Sequence, residues 1–408
     1  MKFEKNITYR NLESVTQLIT RGITPKYIED GVPVINQRCI RNGKVDFGLA
    51  RHTNVEFSKI PNVKYLKDYD ILINSTGRGT LGRVGQIKEI HFPVTVDSHV
   101  TIVRAKKEFV EPIFLGYFLK SRQTLIESLA QGSTGQTELS RGYLKTIDIK
   151  IPSKSTQRRI ASILSAFDDK IEVNRQMNRT LEEMAGALFR EMCLPKDDKR
   201  LPKGWSSDIL ENHVEIGRGL SYKGAGLTNA EDENGVPMHN LNSVFEGGGY
   251  KYKGIKFYNG EYKERHLVKP GDVIVTNTEQ GHKYLLIGCP AIVPKYFGEK
   301  GIFSQHIYRV RPKADSPISK PFLHYLLLQK MVREQMIGAT NGTTVNMLSK
   351  DGLEYPQFFL PPKKVIDKFT GLVNSFLEKK EELHKENLTL SQIRDGLLPR
   401  LMSGQVKL

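Results

Sequence analysis

The chain has 408 residues, 38% of them hydrophobic, and Lys plus Arg outnumber Asp plus Glu by 61 to 45, a net charge of +16. That length exceeds one ordinary core and predicts two or more domains. The basic excess points to a polyanion, with nucleic acid the commonest large one, over a merely soluble basic protein. No apolar stretch approaches the roughly 18 residues of a spanning helix, no apolar leader opens the chain, and Cys39, Cys193 and Cys289 are too far apart for a zinc motif or disulfide framework; a cytoplasmic, membrane-free protein with reduced thiols is expected.

The first 150 or so residues mix short β-rich runs with Gly, Asn and Asp turns. Within them "ILINSTGRGTLGRVG" (71–85) ends an apolar run in Gly77, Gly79 and Gly82, the G-x-G-x-x-G spacing of a dinucleotide fingerprint. The chain continues as "RVGQIKEIHFPVTVDSHVTIV", which reads as further β structure with a proline inside, so no helix N-terminus waits for a pyrophosphate. A short helix is predicted over "PIFLGYFLKSRQTLIESLAQ", then a polar loop, "GSTGQT", and a long helix over roughly 155–191.

The same grammar then recurs. "EDGVPVIN" returns as "ENGVPMHN", "TRGIT" as "GRGLS", "YDILINSTGRG" as "GDVIVTNTEQG", "DSHVTIVRAKK" as "FSQHIYRVRPK" and "GSTGQTELSRGYLKTIDIKIP" as "NGTTVNMLSKDGLEYPQFFLP". Asp70 thereby matches Asp272, His99 matches His306, Arg104 matches Arg311, Ser140 matches Ser349 and Pro152 matches Pro361, in preserved order with slowly drifting separation. This is an internal duplication. It also argues against a nucleotide, because Gly77, Arg78 and Gly79 become Glu279, Gln280 and Gly281, with a carboxylate where a pyrophosphate would lie. The second short helix is predicted in "KPFLHYLLLQKMVREQMIG" and the second long one over roughly 363–398.

What the copies share is a strand ending in short polar residues. Asn74, Ser75, Thr76 and Arg78 stand against Thr276, Asn277, Thr278 and Gln280. Amides match an adenine edge, Arg matches guanine O6/N7, and hydroxyls donate to phosphates or bases. Loops that share position but differ in content suit two related DNA readers; a plain polar turn between strands is the alternative. The same reasoning covers Asn36, Arg38, Arg41 and Lys44 against His239, Asn240 and Asn242, and the loop 132–136 with Ser133, Thr134 and Gln136 against 340–344 with Asn341 and Thr343. Arg21, Arg218, Tyr222, Lys223 and His282 complete the DNA-binding candidates. His99 and His306 join them, with a satisfied structural histidine as the other reading.

On the first long helix Ile160, Leu164, Phe167, Ile171, Leu181 and Leu188 fall at alternating steps with Ala185, interrupted by Asn174 and Asn178; on the second Phe369, Val373, Phe376, Leu383, Leu390 and Leu397 do so with Asn387, and Lys380 and Arg394 break the seam. Two duplicated stripes predict an antiparallel coiled coil of about 50 Å separating the two globular halves, with buried Asn fixing register or, alternatively, facing solvent. No phosphate loop, H-E-x-x-H, nucleophile elbow, amino-methyltransferase tetrad or nuclease carboxylate cluster is present, so a catalytic role for this chain alone is not expected.

Two variable β-rich domains, each followed by a long near-repeat helix, resemble the DNA-specificity (S) subunit of type I restriction-modification systems. The resemblance spans essentially the full chain and is carried by "LPKGWSSDILENHVEIGRG" (201–219), "IPSKSTQRRIASILSAFDDKIEVNRQ" and the final "LSQIRDGLLPRLMSGQVKL". One departure is visible: the second junction, "LPPKKVIDKFTG", lacks the Gln-x-x-Ile of the first, which puts a partner contact there in question.

The resemblance implies an α+β fold with a pseudo-two-fold repeat: target recognition domains at 1–153 and 195–362, and conserved helical regions at 154–194 and 363–408. Each recognition domain would read one half of a split, asymmetric site in double-stranded DNA, and the helices would set the spacer and dock methyltransferase (M) subunits, two of them. Restriction (R) motor-nuclease subunits would join through that core. No cofactor is expected in this chain; S-adenosylmethionine, ATP and Mg are implied for the partners. A fused methyltransferase is disfavoured, both halves being used already, and a two-headed regulator that binds DNA without modifying it is the remaining alternative.

Overall fold

The computed structural model describes residues 7–55, 59–131, 137–197, 200–281, 283–342 and 345–406. It divides into unit 1, residues 1–172 with 388–408, and unit 2, residues 173–387, so each long helix is shared by both.

In unit 1 an antiparallel sheet runs in the order Thr16–Arg21, Val100–Ala105, Ile71–Asn74, Val84–Gln86. A second sheet runs Thr95–Val96, Val32–Ile35, Arg51–Thr53, Tyr27–Ile28, its first pair parallel. Ile71–Asn74 is apolar without alternation because both its faces are covered. Ile71 and Ile73 pack with Phe114, Leu115 and Phe118 of the helix Pro112–Ser121, while Leu72 packs with Ile35, Val100 and Ile102. The strands Thr8–Asn11 and Asp148–Ile151 pair antiparallel.

Unit 2 repeats this order: Val214–Arg218, Ile307–Pro312, Val273–Thr276, Pro290–Ile292 in one sheet, and Leu227–Thr228, Lys256–Tyr258, Val236–His239, Gly301–Phe303, Leu267–Val268 in the other, which gains its last strand. The duplicated residues do the same work twice. Arg104 donates to both carboxylate oxygens of Asp70 at 2.7 Å, and Arg311 donates to Asp272 at 3.0 and 2.5 Å, with Lys320 adding a bond at 2.9 Å. Burial works to raise the Asp272 carboxyl, but these bonds and the Lys269 amide prevail and hold it below the ordinary carboxylate range. Gly22 and Gly219 sit where a Cβ would run into a backbone oxygen, that of Val96 and that of Ser304, so the strand crossing is too close for any side chain.

Each predicted short helix is in fact two, Pro112–Ser121 with Gln123–Ser128 and Lys320–Leu327 with Lys330–Gly338. The long helices span Lys154–Cys193 and Lys363–Ser403. They pack antiparallel within each unit. In unit 1 Ile160 and Leu164 are buried with Leu401, and Leu397 packs against them; in unit 2 Ala185 and Phe189 are buried with Ile366, Phe369 and Val373. Ile171 and Leu383 are buried too, whereas Phe167, Leu181, Leu188, Phe376 and Leu390 are half-buried. The deepest seam position near Leu188 is Phe189, because a straight helix drifts off a strict seven-residue repeat. Asn174 is fully buried and donates to Asn387 Oδ1 at 3.1 Å and Glu386 at 2.8 Å, so for this residue the solvent-facing alternative does not hold. The seam-breaking cations meet opposite charge, Lys380 on Glu182 and Arg394 on Asp168.

The junction Gln157 faces inward. It accepts from the Glu111 amide at 2.7 Å and donates to Pro152 O at 2.9 Å, tying the helix start to the strand end. At the second junction the buried Ile366 follows Pro361 at the place of Gln157 after Pro152. The departure there exchanges a polar clamp for an apolar plug inside the core.

Candidate nucleic-acid interface

Because neighbouring strands are antiparallel, the end of Thr16–Arg21, the end of Ile71–Asn74 and the start of Val100–Ala105 lie together. Arg21, the segment 74–78 and His99 are thereby gathered at one sheet end. Asn74 donates to Gln37 O and Thr80 O at 3.0 Å, joining the 36–41 loop to this end. The hairpin Ala130–Gln131/Glu138–Leu139 docks there too: Leu139 N donates to Ser75 O at 2.8 Å, and Thr76 pairs with Glu138.

Unit 2 builds the same end from Arg218, the segment 276–280 and His306, with Leu348 N on Asn277 O at 2.8 Å. Here the hairpin is fuller. Thr278–Gln280, Val345–Leu348 and Thr340–Asn341 form a three-stranded ribbon.

Burial divides the predicted residues into two groups. Asn36, Asn74, Ser75, His239, Asn240, Asn277 and Thr278 are buried. Asn36 and Asn240 cap short 3-10 turns by accepting from the amides of Arg38 and Asn242, each at 2.9 Å. Ser75 shares a 2.6 Å bond with Thr101, and Asn277 donates to Gln305 O at 3.0 Å. His239 bonds to the Tyr250 hydroxyl at 2.8 Å, and burial pushes its pKa down to about 3. These side chains shape the loops. Arg38, Arg41, Arg78, His99, Arg218, Lys223, Asn242, Gln280, His306 and Asn341 are exposed, and Arg21, Lys44, Thr76 and Tyr222 are half-buried. Lys44 pairs with Glu172 at 2.6 Å, and Arg21 pairs with Glu138. Ser133, Thr134, Gln136, His282 and Thr343 lie outside the described residues.

The two histidines are each bonded to a threonine and exposed. Thr76 Oγ1 meets His99 Nδ1 at 2.7 Å and Thr278 Oγ1 meets His306 Nδ1 at 3.2 Å, so each ring is oriented by its own chain and still presented to solvent.

Gly77, Gly79 and Gly82 have φ of 104°, 71° and 80°, and Gly82 N donates to Asn74 O at 2.8 Å. They turn one strand into the next, a left-handed path that side chains resist. The second copy folds its corresponding loop differently. Glu279 accepts from the amides of Leu285, Leu286 and Ile287, each at 2.8 Å. Its carboxylate is an internal clasp that the sequence did not mark. Glu138, Val345 and Met347 were missed as well; the alternation of "TVNML" was the available signal.

Residues 4–183 match the family model for the type I restriction modification DNA specificity domain. Over 81% of its length the chain is 28% identical to the type I restriction enzyme MjaIX specificity subunit of Methanocaldococcus jannaschii, covering 77% of that protein. It is 24% identical to the type I restriction enzyme HindI specificity subunit of Haemophilus influenzae, over 95% of this chain and 98% of the other. Over most of its length the chain is thus similar to type I restriction-modification specificity subunits, and residues 4–183 carry the match to the specificity domain. The crystal structure of the S subunit of a type I system from M. genitalium is similar in fold, at a TM-score of 0.57 and 18% identity over 98% of each chain. Among the described residues no group of His, Cys, Asp and Glu could hold a metal ion, and no helix is long and apolar enough to cross a membrane.

Proposed function

We propose that this chain is the DNA-reading subunit of a type I restriction-modification complex, unit 1 and unit 2 each reading one half of a bipartite, asymmetric site. The observation that carries this is the duplicated sheet end: one strand frame built twice, its following loop folded differently in each copy, with Arg78 exposed in one and Gln280 in the other. Two readers of different sequences need that combination of common frame and private side chains. The basic excess supplies sequence-independent affinity that falls with salt.

In this reading the long helices set the interval between half-sites and dock methyltransferase subunits. Val173, Met177 and Met184 are 50%, 42% and 46% exposed along the first helix, an apolar row suited to a protein partner. S-adenosylmethionine, ATP and Mg belong to the partner subunits, and this chain contributes recognition without a catalytic group. Co-expression with the partner methyltransferase in a methylation-free host, followed by single-molecule mapping of N6-methyladenine, tests it. A split motif with a fixed unspecified gap is expected, and exchange of residues 1–153 changes one half only. A complex that forms, binds S-adenosylmethionine and methylates no adenine contradicts the function.

A further inference from the structure

The ribbon of unit 2 carries a surface that the DNA-reading function, on which this inference rests, leaves unspecified. Val345 and Met347 are 41% and 55% exposed, while Asn346 and Leu348 between and after them are buried. Gln280 stands opposite Val345, Thr278 opposite Met347, and Asn341 opposite Met347 on the far side. Residues opposed in an antiparallel ladder share a face, and alternate residues along a strand return to it. Gln280, Val345, Met347 and Asn341 therefore line one outer face beside the Thr278–His306 pair. Glu279 and Asn346 turn inward, Glu279 to the 285–287 amides and Asn346 to Gly281 O.

The inner face anchors the ribbon. The outer face leaves two large apolar side chains in water next to two amides. In unit 1 the position of Met347, opposite Thr76, is held by Glu138, which pairs with Arg21 and faces Gln131. The same backbone thus presents an ionic surface in one unit and an apolar-amide surface in the other.

We infer that this outer face is the base-reading surface of unit 2, with Met347 and Val345 on thymine methyl groups and Gln280 on an adjacent adenine edge. A β-ribbon fits the major groove, where thymine alone offers a methyl and adenine N6/N7 matches an amide. The half-site read by unit 2 contains A·T pairs facing the ribbon. A protein partner seated on the same side chains is the competing occupant.

The test begins with the mapped motif of the co-expressed complex, the unit 2 half being the one that survives exchange of residues 1–153. Duplexes in which single thymines of that half are replaced by deoxyuridine, which lacks only the methyl, are titrated against the wild-type complex. Binding about fourfold weaker at one or two positions is expected, and the Met347→Ala or Val345→Thr complex no longer distinguishes thymine from uracil there. Equal affinity for both bases throughout that half overturns the inference and leaves the function standing. Loss of the methyltransferase from the Met347→Ala complex with base preference intact overturns it in favour of a protein dock. A wild-type complex that yields no split motif removes the function and the ribbon's role together.

Discussion

Both units press a short helix against the paired long helices, and they do it with different chemistry. In unit 1 the Tyr117 hydroxyl donates to Asp168 at 2.6 Å and Arg394 donates to the other carboxylate oxygen at 2.5 Å. Lys44 on Glu172 and Lys88 on Asp169 extend this polar seam. In unit 2 the rings of Phe322 and Tyr325 close on Phe189 at 5.2 and 6.3 Å, and Phe369 meets Phe189 edge-on at 5.3 Å. Further along, Tyr252 stacks on His384 at 3.5 Å. Duplication kept the place of the contact and released its composition. A helix packed on helices needs area and satisfied polar groups, and either an ion-centred or an aromatic cluster supplies them.

The largest expected effect breaks the aromatic side of this comparison. Phe189→Ala opens a cavity among the three rings of Phe322, Tyr325 and Phe369 and should cost about 3–5 kcal/mol. Amide hydrogen exchange of the full chain checks it: protection falls across unit 2 while unit 1 peptides change little. Equal loss in both units would mean that the helices transmit packing more strongly than the separate clusters suggest.

Acid should separate the units next. His239 and His324 are buried neutral with pKa values pushed down to about 3, and burial lowers His384 to about 4. In the unfolded chain such rings protonate near 6.5. The unfolded state therefore binds more protons between these values, so stability is full above about pH 6.5 and declines as pH falls toward 4, by roughly 2–4 kcal/mol for each ring. In unit 1, burial works to raise the Asp168 carboxyl, but the bonds from Tyr117 and Arg394 and the charge of Lys120 hold it below the ordinary carboxylate range. The contribution of that group is lost only below about pH 4. Exchange measured from pH 7 down to 4.5, corrected for intrinsic rate, should show unit 2 opening first.

Much of this was legible because duplication reads a chain twice. Both long helices and the matched positions Asp70 with Asp272, Arg104 with Arg311 and Ser140 with Ser349 can be read in the sequence, and the fold shows what the matches do: Asp pairs with Arg and each Ser caps a short helix, twice over. The split of each short helix was hidden because Arg122 and Gln329 interrupt the ladder without a Gly or Pro to announce it. At the candidate interface the polar residues were located, but not their direction. Asn74 and Arg78 lie in one turn, and only the path of the backbone decides that the first holds the loop from within and the second stands in water. In the sequence Glu279 reads only as a carboxylate that excludes a pyrophosphate; its role as a clasp stays hidden because its partners are amides, which every sequence has everywhere.

The finest comparison sets that clasp against the glycine turn. Glu279 holds the second copy's loop through three amide bonds to one carboxylate, whereas the first copy's loop turns on left-handed glycines with Asn74 bonded to Thr80 O from within, Gly79 lying at φ 71° with nothing within 4 Å of its missing side chain. Glu279→Gln swaps an acceptor for a donor facing N–H groups and should cost about 1.5–3 kcal/mol, because charge-assisted bonds are lost and a donor is left buried. Gly79→Ala only strains one open left-handed residue, for about 1 kcal/mol. Thermal denaturation of each variant checks the order. Methylation mapping sharpens it further: Glu279→Gln should blur the half-site read by unit 2 and leave the other defined, while Gly79→Ala leaves both motifs intact. Were Gly79→Ala to erase its half-site instead, the first loop would have to approach the DNA at its backbone, where even a methyl group intrudes.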